Sequence, residues 1–190
     1  MSIPLILRLD VTGQPVEWIP WQEAACLYAR DRVAWTAGNH EFPLRGGICR
    51  VSGRQTMIEI NSIIAVKGED KKRRHPRSPP LNNRELFRRD RNTCLYCGKQ
   101  MADFNLTRDH IKPISRGGRD VWRNVITACR RCNTRKGSNT PEEANMPLLA
   151  IPYIPNQAEY LVLRNRRILG DQMAFLKMQF KDVERHWKLQ

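Results

Sequence analysis

The chain has 190 residues, 41% of them apolar, which suffices for one ordinary domain or two small ones with a buried core. Its 33 Lys and Arg against 19 Asp and Glu, a net charge of +14, exclude an acidic solvating protein and point to a polyanionic partner, nucleic acid or an anionic membrane surface. No apolar run approaches the roughly 18 residues needed to span a bilayer, and residues 1–10 lack the basic start and cleavage site of a signal peptide, so the expected setting is a reducing cytoplasm.

Residues 1–68 read as a small α/β unit. Leu5-Ile6-Leu7-Arg8-Leu9 is strand-like, and Trp21, Ala24, Ala25 and Tyr28 recur at helical spacing within a helix expected over 18–28. Residues 33–35 and 57–66 are β-rich, with turns expected around Gly38-Asn39 and Gly46-Gly47. Cys26 and Cys49 are lone cysteines, expected as buried thiols, and His40 has no ligand partner at a metal spacing. A basic, Pro-rich linker is expected over 69–80, with four consecutive cations at 71–74 and three prolines. Here the charge imbalance begins. Residues 71–137 hold 19 Lys/Arg and 5 Asp/Glu, and the rest of the chain holds 14 of each. Next comes a helix to about Asp90, capped by Asn82 with Glu85 three places on and Leu81 set to staple onto Leu86; it is expected to expose Arg84, Arg88, Arg89 and Arg91.

Cys94-Leu-Tyr-Cys97 and Cys129-Arg-Arg-Cys132 are two CxxC pairs separated by 31 residues. Each pair has the spacing of half a tetrahedral zinc site, and Gly98 supplies the backbone freedom of a knuckle. A reducing compartment disfavours disulfides, and a thioredoxin-like redox pair expects one CxxC beside a βαβ pattern, which is absent. Four cysteines leave no open coordination position, so this zinc would fold the module and perform no chemistry. Inside the clamp, Asp109-His110 joins an acid and a base in consecutive positions. In a strand the two point to opposite sides; at a strand end both can face a cleft. A carboxylate suits a hard cation such as Mg²⁺, an imidazole suits deprotonation of water near neutral pH, and the surrounding cations suit a phosphate substrate. The last stretch, 146–190, is a Pro-rich connection followed by a helix of about 17 residues ending at Trp187, with Met173, Leu176, Phe180, Val183 and Trp187 in one apolar stripe. The stripe is expected to pack on its own chain, homodimerisation being the alternative. The helix is too evenly charged for a membrane surface.

On these residues, the segment resembles the HNH endonucleases. The matching residues are the first knuckle, Asp109-His110-Ile111 with Pro113, Gly117-Gly118, Trp122, Asn124, Cys129 to Asn133, and Lys136-Gly137. Thirteen residues separate His110 from Asn124 and eight separate Asn124 from Asn133, the spacing of that family, over about residues 84–137. The flanks are similar to those of small stand-alone bacterial HNH proteins akin to methylcytosine-type restriction nucleases. The resemblance implies an α+β chain whose ββα-metal module, over 81–145, is stapled by zinc on Cys94, Cys97, Cys129 and Cys132. It implies a metal-dependent DNA endonuclease leaving 5′-phosphate and 3′-hydroxyl ends, with His110 as general base. Asp109 and Asn133 would hold one Mg²⁺ or Mn²⁺, and Asn124 would fix the loop and orient His110. Asn133 stands where many members carry His, which puts the metal preference in question. Arg108, Lys112, Arg116, Arg130, Arg131, Arg135 and Lys136 are candidate phosphate contacts. The alternative is a zinc-clamped nucleic-acid-binding module without turnover. Target sequence, the choice among duplex DNA, branched DNA and RNA, and the biological setting, whether restriction, phage or mobile element, or repair, are not encoded in any motif of the chain.

Overall fold

A computed structural model describes residues 3–68 and 78–180. The elements in chain order are β1 (Ile6–Leu9), β2 (Pro15–Ile19), α1 (Trp21–Ala29), β3 (Val33–Ile48), β4 (Gln55–Val66), α2 (Asn83–Arg89), β5 (Leu106–His110), β6 (Val125–Cys129), α3 (Arg130–Lys136), α4 (Gln157–Arg164) and α5 (Gly170–Lys177), with short 3₁₀ turns at Asp103–Asn105 and Ile114–Arg116. The chain is α+β, and it divides into two compact units. One contains residues 3–68 with 157–180, the other residues 78–156.

The first unit is a four-stranded sheet in the order β2-β1-β4-β3, with β1 and β4 parallel and the other pairs antiparallel. Its central strands carry apolar residues on both faces because both faces are covered, with Arg8 interrupting β1 and Asn61-Ser62 interrupting β4. Ile6, Ile60, Ile64 and Val66 meet Ile19 and Ala24 on one side. Leu7, Leu9, Ile63 and Ala65 meet Ala158, Leu161 and Leu176 on the other. The buried Gln172 stitches α5 to the sheet, its amide donating to the carbonyls of Leu5 (2.9 Å) and Ser62 (2.8 Å). Trp18 likewise donates to the Leu161 carbonyl at 2.9 Å.

The structure corrects several expectations in this unit. Gly38-Asn39 and Gly46-Gly47 do not end strands. They sit inside the 16-residue β3, where the register against β4 shifts between Ala37 and Glu41 and between Arg45 and Ile48. These are bulges: Gly38 takes φ +89°, and a Cβ there would collide with Ser62 Oγ and the Asp171 carboxylate. Cys26 and Cys49 are exposed, one on the outer face of α1 and the other at the end of the β3–β4 hairpin. The helix expected to end at Trp187 is, among the described residues, the short α5, and a further helix, α4, forms in the stretch expected as a Pro-rich connection. Helix α5 stops at Lys177, and residues 178–180 turn back, the Phe180 N–H donating to the Lys177 carbonyl at 3.2 Å. The stripe positions Val183 and Trp187 lie outside the described residues, as does most of the linker.

In the second unit α2 starts as its cap predicts, with the Glu85 N–H donating to Asn82 Oδ1 at 3.2 Å. Arg84 and Arg91 are exposed, but Arg88 is half-buried and Arg89 is buried. Arg89 forks onto Asp90 at 2.7 and 3.1 Å and donates to the carbonyls of Trp122, Val125 and Tyr153. Its guanidinium lies over the rings of Trp122 and Tyr153 at 5.5 and 5.7 Å. Asp90 also accepts from the buried Thr127 N–H at 2.8 Å. The pair ties α2 to β6, on which the site is built.

Candidate active site

β5 and β6 form an antiparallel ribbon in which Leu106 faces Cys129, Asp109 faces Ile126 and His110 faces Val125. The first CxxC pair follows α2 in a tight knuckle, where the Gly98 N–H donates to the Cys94 carbonyl at 2.9 Å. The second pair spans the β6–α3 junction, Cys129 acting as N-cap with its sulfur accepting from the Cys132 N–H at 3.4 Å. The four sulfurs lie within 4.8 Å of one another. That crowding suits one tetrahedral ion, whose sulfur ligands at about 2.3 Å stand a little under 4 Å apart. Burial pushes the Cys94 thiol up, but the backbone N–H groups of Cys129, Cys97 and Tyr96 outweigh it and hold the group below its ordinary value.

Asp109 and His110 end β5 on opposite sides of the strand, as alternation dictates. Asp109 is 5% exposed, and both its oxygens are engaged: Lys136 Nζ donates to Oδ1 at 2.9 Å and the Tyr96 hydroxyl to Oδ2 at 2.6 Å. Burial, then the hydrogen bond and charge of Asp109, hold the Tyr96 hydroxyl far above its usual range, so Tyr96 remains a donor. His110 faces outward with its side chain 23% exposed. Its Nε2 lies 2.9 Å from Asp120 Oδ1. Asp120 is held in turn by Arg108 Nη1 at 2.5 Å, and Arg108 Nε donates to Asn83 Oδ1 at 2.8 Å. Burial raises the Asp120 carboxyl, but the hydrogen bonds and charges of Arg108 and His110 together outweigh it and hold it below the usual carboxylate range. An ionised carboxylate only accepts, so Nε2 is the nitrogen that carries hydrogen toward Asp120, and in the neutral ring the lone pair lies on Nδ1. Among the described residues Nδ1 has no hydrogen-bond partner.

Asn133, on α3, lies on the Asp109 side of β5, with Nδ2 donating to Thr107 Oγ1 at 3.0 Å. The two residues named for a divalent ion thus lie on one side of β5, and a carboxylate with an amide is a hard-cation donor set. The buried Lys136 ammonium already occupies the cation side of Asp109, so an ion must displace it. Asn124 acts on the loop: Oδ1 accepts from the Lys112 N–H at 2.9 Å, and Nδ2 donates to the carbonyls of Lys112 (3.0 Å) and Arg119 (2.9 Å). The hydrogen bond that orients the His110 ring comes from Asp120. Gly118 backs onto the Lys112 carbonyl so closely that any Cβ would clash.

The candidate phosphate contacts divide. Lys136 is 1% exposed and spent on Asp109, so it is not one; a long cation reads as surface only while its partner, 27 residues away, is unknown. Arg108 is committed to Asp120 and Asn83. Arg116 pairs with Glu143 at 2.6 Å, and Lys112 is exposed. Arg130, Arg131 and Arg135 are exposed and, with Lys99, Cys97 and Cys132, line a cleft of about 440 Å³ beside the cysteine quartet. Sequence reasoning missed Asp120 and Tyr96. The available signal for Asp120 was scarcity: it is one of only five carboxylates in the basic segment 71–137. A family model described as HNH endonuclease matches residues 94–149. No curated protein matches the chain.

Proposed function

We propose, from the HNH endonuclease module that this chain carries at residues 94–149, that the protein is a nuclease hydrolysing phosphodiester bonds in DNA, with zinc on the four cysteines. The observation that carries the reading is His110, with Nε2 anchored 2.9 Å from Asp120 and Nδ1 unpartnered among the described residues. His110 Nδ1 takes a proton from water. The hydroxide forms a bond to phosphorus in line with the 3′-oxygen, which departs and takes up a proton, leaving 5′-phosphate and 3′-hydroxyl ends. Asp120 keeps the imidazole in the tautomer that can accept this proton and favours the imidazolium that results. Asp109 and Asn133 are the residues that would hold a divalent ion, Mg²⁺ or Mn²⁺, in competition with Lys136. Such an ion supplies charge neutralisation at the phosphate and the leaving oxygen. Lys112, Arg131 and Arg135 are exposed to meet backbone phosphates, as is Arg130, whose Nη2 also donates to the Phe104 carbonyl at 3.3 Å; such contacts position a duplex without reading its sequence.

Plasmid nicking by zinc-loaded protein with and without Mg²⁺ tests the reading. His110→Ala should lower the rate by about 10²–10⁴-fold while duplex binding and the melting profile stay those of the parent. Asp120→Asn should lower kcat by roughly tenfold or more with KM unchanged, since an amide can donate to Nε2 and favour the wrong tautomer. Parent protein that binds duplex yet never cuts would sink the nuclease in favour of a zinc-clamped binding module.

A further inference from the structure

Beyond the core of the first unit, β3 and β4 continue as a two-stranded arm. β1 pairs with β4 at residues 63–65, and over 42–58 the two strands have no other sheet partner among the described residues. The pairing runs from Phe42 opposite Ile60 to Ile48 opposite Gln55, and the hairpin closes where the Cys49 N–H donates to the Arg54 carbonyl at 2.9 Å. Seven residue steps at about 3.3 Å make an arm on the order of 23 Å long. One face near its base keeps the apolar alternation of the core, with Phe42, Leu44 and Ile58 half-buried. Toward the end the burial stops: Met57 is 53% exposed, Ile48 71% and Val51 97%.

The chemistry of this exposed segment is one-sided. Beyond its first pairs, over residues 44–58, the arm contains Arg45, Arg50 and Arg54, all exposed, and no Asp or Glu; Glu59, opposite Pro43, sits at its base. The flanking carboxylates lie at the base, where Glu41 accepts from the Asn61 amide at 3.1 Å. Charges that only blunt a sheet edge against aggregation serve with either sign; three cations and no anion match a polyanion. A second copy of the arm would bring like charges together, which opposes self-pairing. The bulge at Gly46-Gly47 bares backbone at mid-arm, and nothing lies within 4 Å of where a Gly47 Cβ would be, so a ligand can approach the main chain there.

We propose that the β3–β4 arm is a second nucleic-acid contact, a ribbon that enters a duplex groove with Arg45, Arg50 and Arg54 on phosphates and Val51 at its apolar tip. A B-form major groove, about 12 Å wide, admits a two-stranded ribbon, and ribbons with apolar tips also wedge into base steps from the minor groove. The arm's role rests on the reading that the HNH module acts on duplex DNA, and it adds affinity that the module's own cations do not supply.

The test measures binding of a 40-base-pair duplex by fluorescence anisotropy, on the full zinc-loaded chain without added Mg²⁺, across a salt series. The variants are the R45Q/R50Q/R54Q triple, V51D, and the module triple R130Q/R131Q/R135Q. The arm triple should raise Kd at least about tenfold and reduce the salt slope by about 2.7, at roughly 0.9 for each phosphate no longer neutralised. V51D should raise Kd as well. The melting profile of each should match the parent, since every changed side chain is exposed. Kd and slope unchanged in both arm variants, with weakening in the module triple, would overturn the arm while leaving the nuclease intact. A change in sedimentation with unchanged DNA affinity would overturn it too, assigning the arm to contacts between copies. Parent protein that neither binds nor cuts nucleic acid fails at the earlier step, the function of the module itself.

Discussion

The two units bury different things. The sheet unit hides two apolar clusters, one on each face of β1 and β4, and its buried polar groups are few: Ser62 and Gln172 join the sheet to the helix α5, and Glu159 lies in α4. The module of 78–156 has its own buried apolar residues, among them Leu86, Leu95, Trp122 and Ile126, but it also encloses the Arg89–Asp90 and Asp109–Lys136 pairs and a cysteine quartet. A core of that kind depends on every partner being present, because a buried charge left alone costs more than a missing methyl group. The difference assigns the sheet unit stability of its own and makes the module's stability conditional on charge pairing and on metal.

Metal removal is the largest expected break in that comparison. Chelation should remove on the order of 10 kcal/mol of apparent stability from the module. Hydrogen exchange read by mass spectrometry should then show the amides of 106–110 and 125–136 losing protection while those of 6–9 and 63–66 keep it. Simultaneous opening of both sets would mean that the units are one cooperative system. Arg89→Met comes next. It leaves Asp90 buried with the Thr127 N–H but no cation, and should cost about 3–5 kcal/mol in urea unfolding of the metal-loaded protein. The loss should be confined to the module.

Lys136→Met sharpens the same point at the site. Asp109 keeps the Tyr96 hydroxyl, so the cost should be smaller, about 3 kcal/mol. Mn²⁺ should then restore part of the lost stability, because the ion no longer competes with an ammonium for Oδ1. A melting temperature indifferent to Mn²⁺ in this variant would remove Asp109 from the set of cation ligands.

The same contrast explains what could be read in advance. The cysteine quartet and the α2 cap follow from local spacing, and each is where the spacing put it. The apolar spacing of α1 from Trp21 and the apolar stretches of β1 and β4 were legible for the same reason, whereas Trp18, expected in that helix, lies in β2, a strand the sequence did not signal. The buried charges were not. Arg89 looks like one more cation on a basic helix, and its acceptors at Trp122, Val125 and Tyr153 are 33 to 64 residues away. Asp120 and Lys136 find His110 and Asp109 only after the ribbon has formed. The glycines of β3 misled because a bulge and a turn call for the same residue; the long β4 partner, not the glycine, decides between them.

Asp171 offers the smallest and most selective test, because it is a carboxylate held by several donors within the sheet unit. Its Oδ2 accepts from Ser62 Oγ (2.6 Å), the Asn39 N–H (2.8 Å), the His40 N–H (3.2 Å) and His40 Nδ1 (3.0 Å), pinning the N-terminus of α5 to the Gly38 bulge. Burial pushes this carboxyl up, but the donors from Ser62, His40, Asn39 and Gln172 outweigh it and hold it well below the usual carboxylate range. A carboxyl lowered in the folded state contributes stability that is complete above its unfolded pKa, about 3.9, and is lost as pH falls from there toward the folded value. Urea unfolding followed through the tryptophans of the sheet unit, Trp18, Trp21 and Trp35, should therefore weaken on acidification below about pH 4. Asp171→Asn should start lower at neutral pH and lose less stability over the same range. The module's transition should be unchanged by this substitution. If both transitions shifted together, the bulge would be coupled to more than its own sheet.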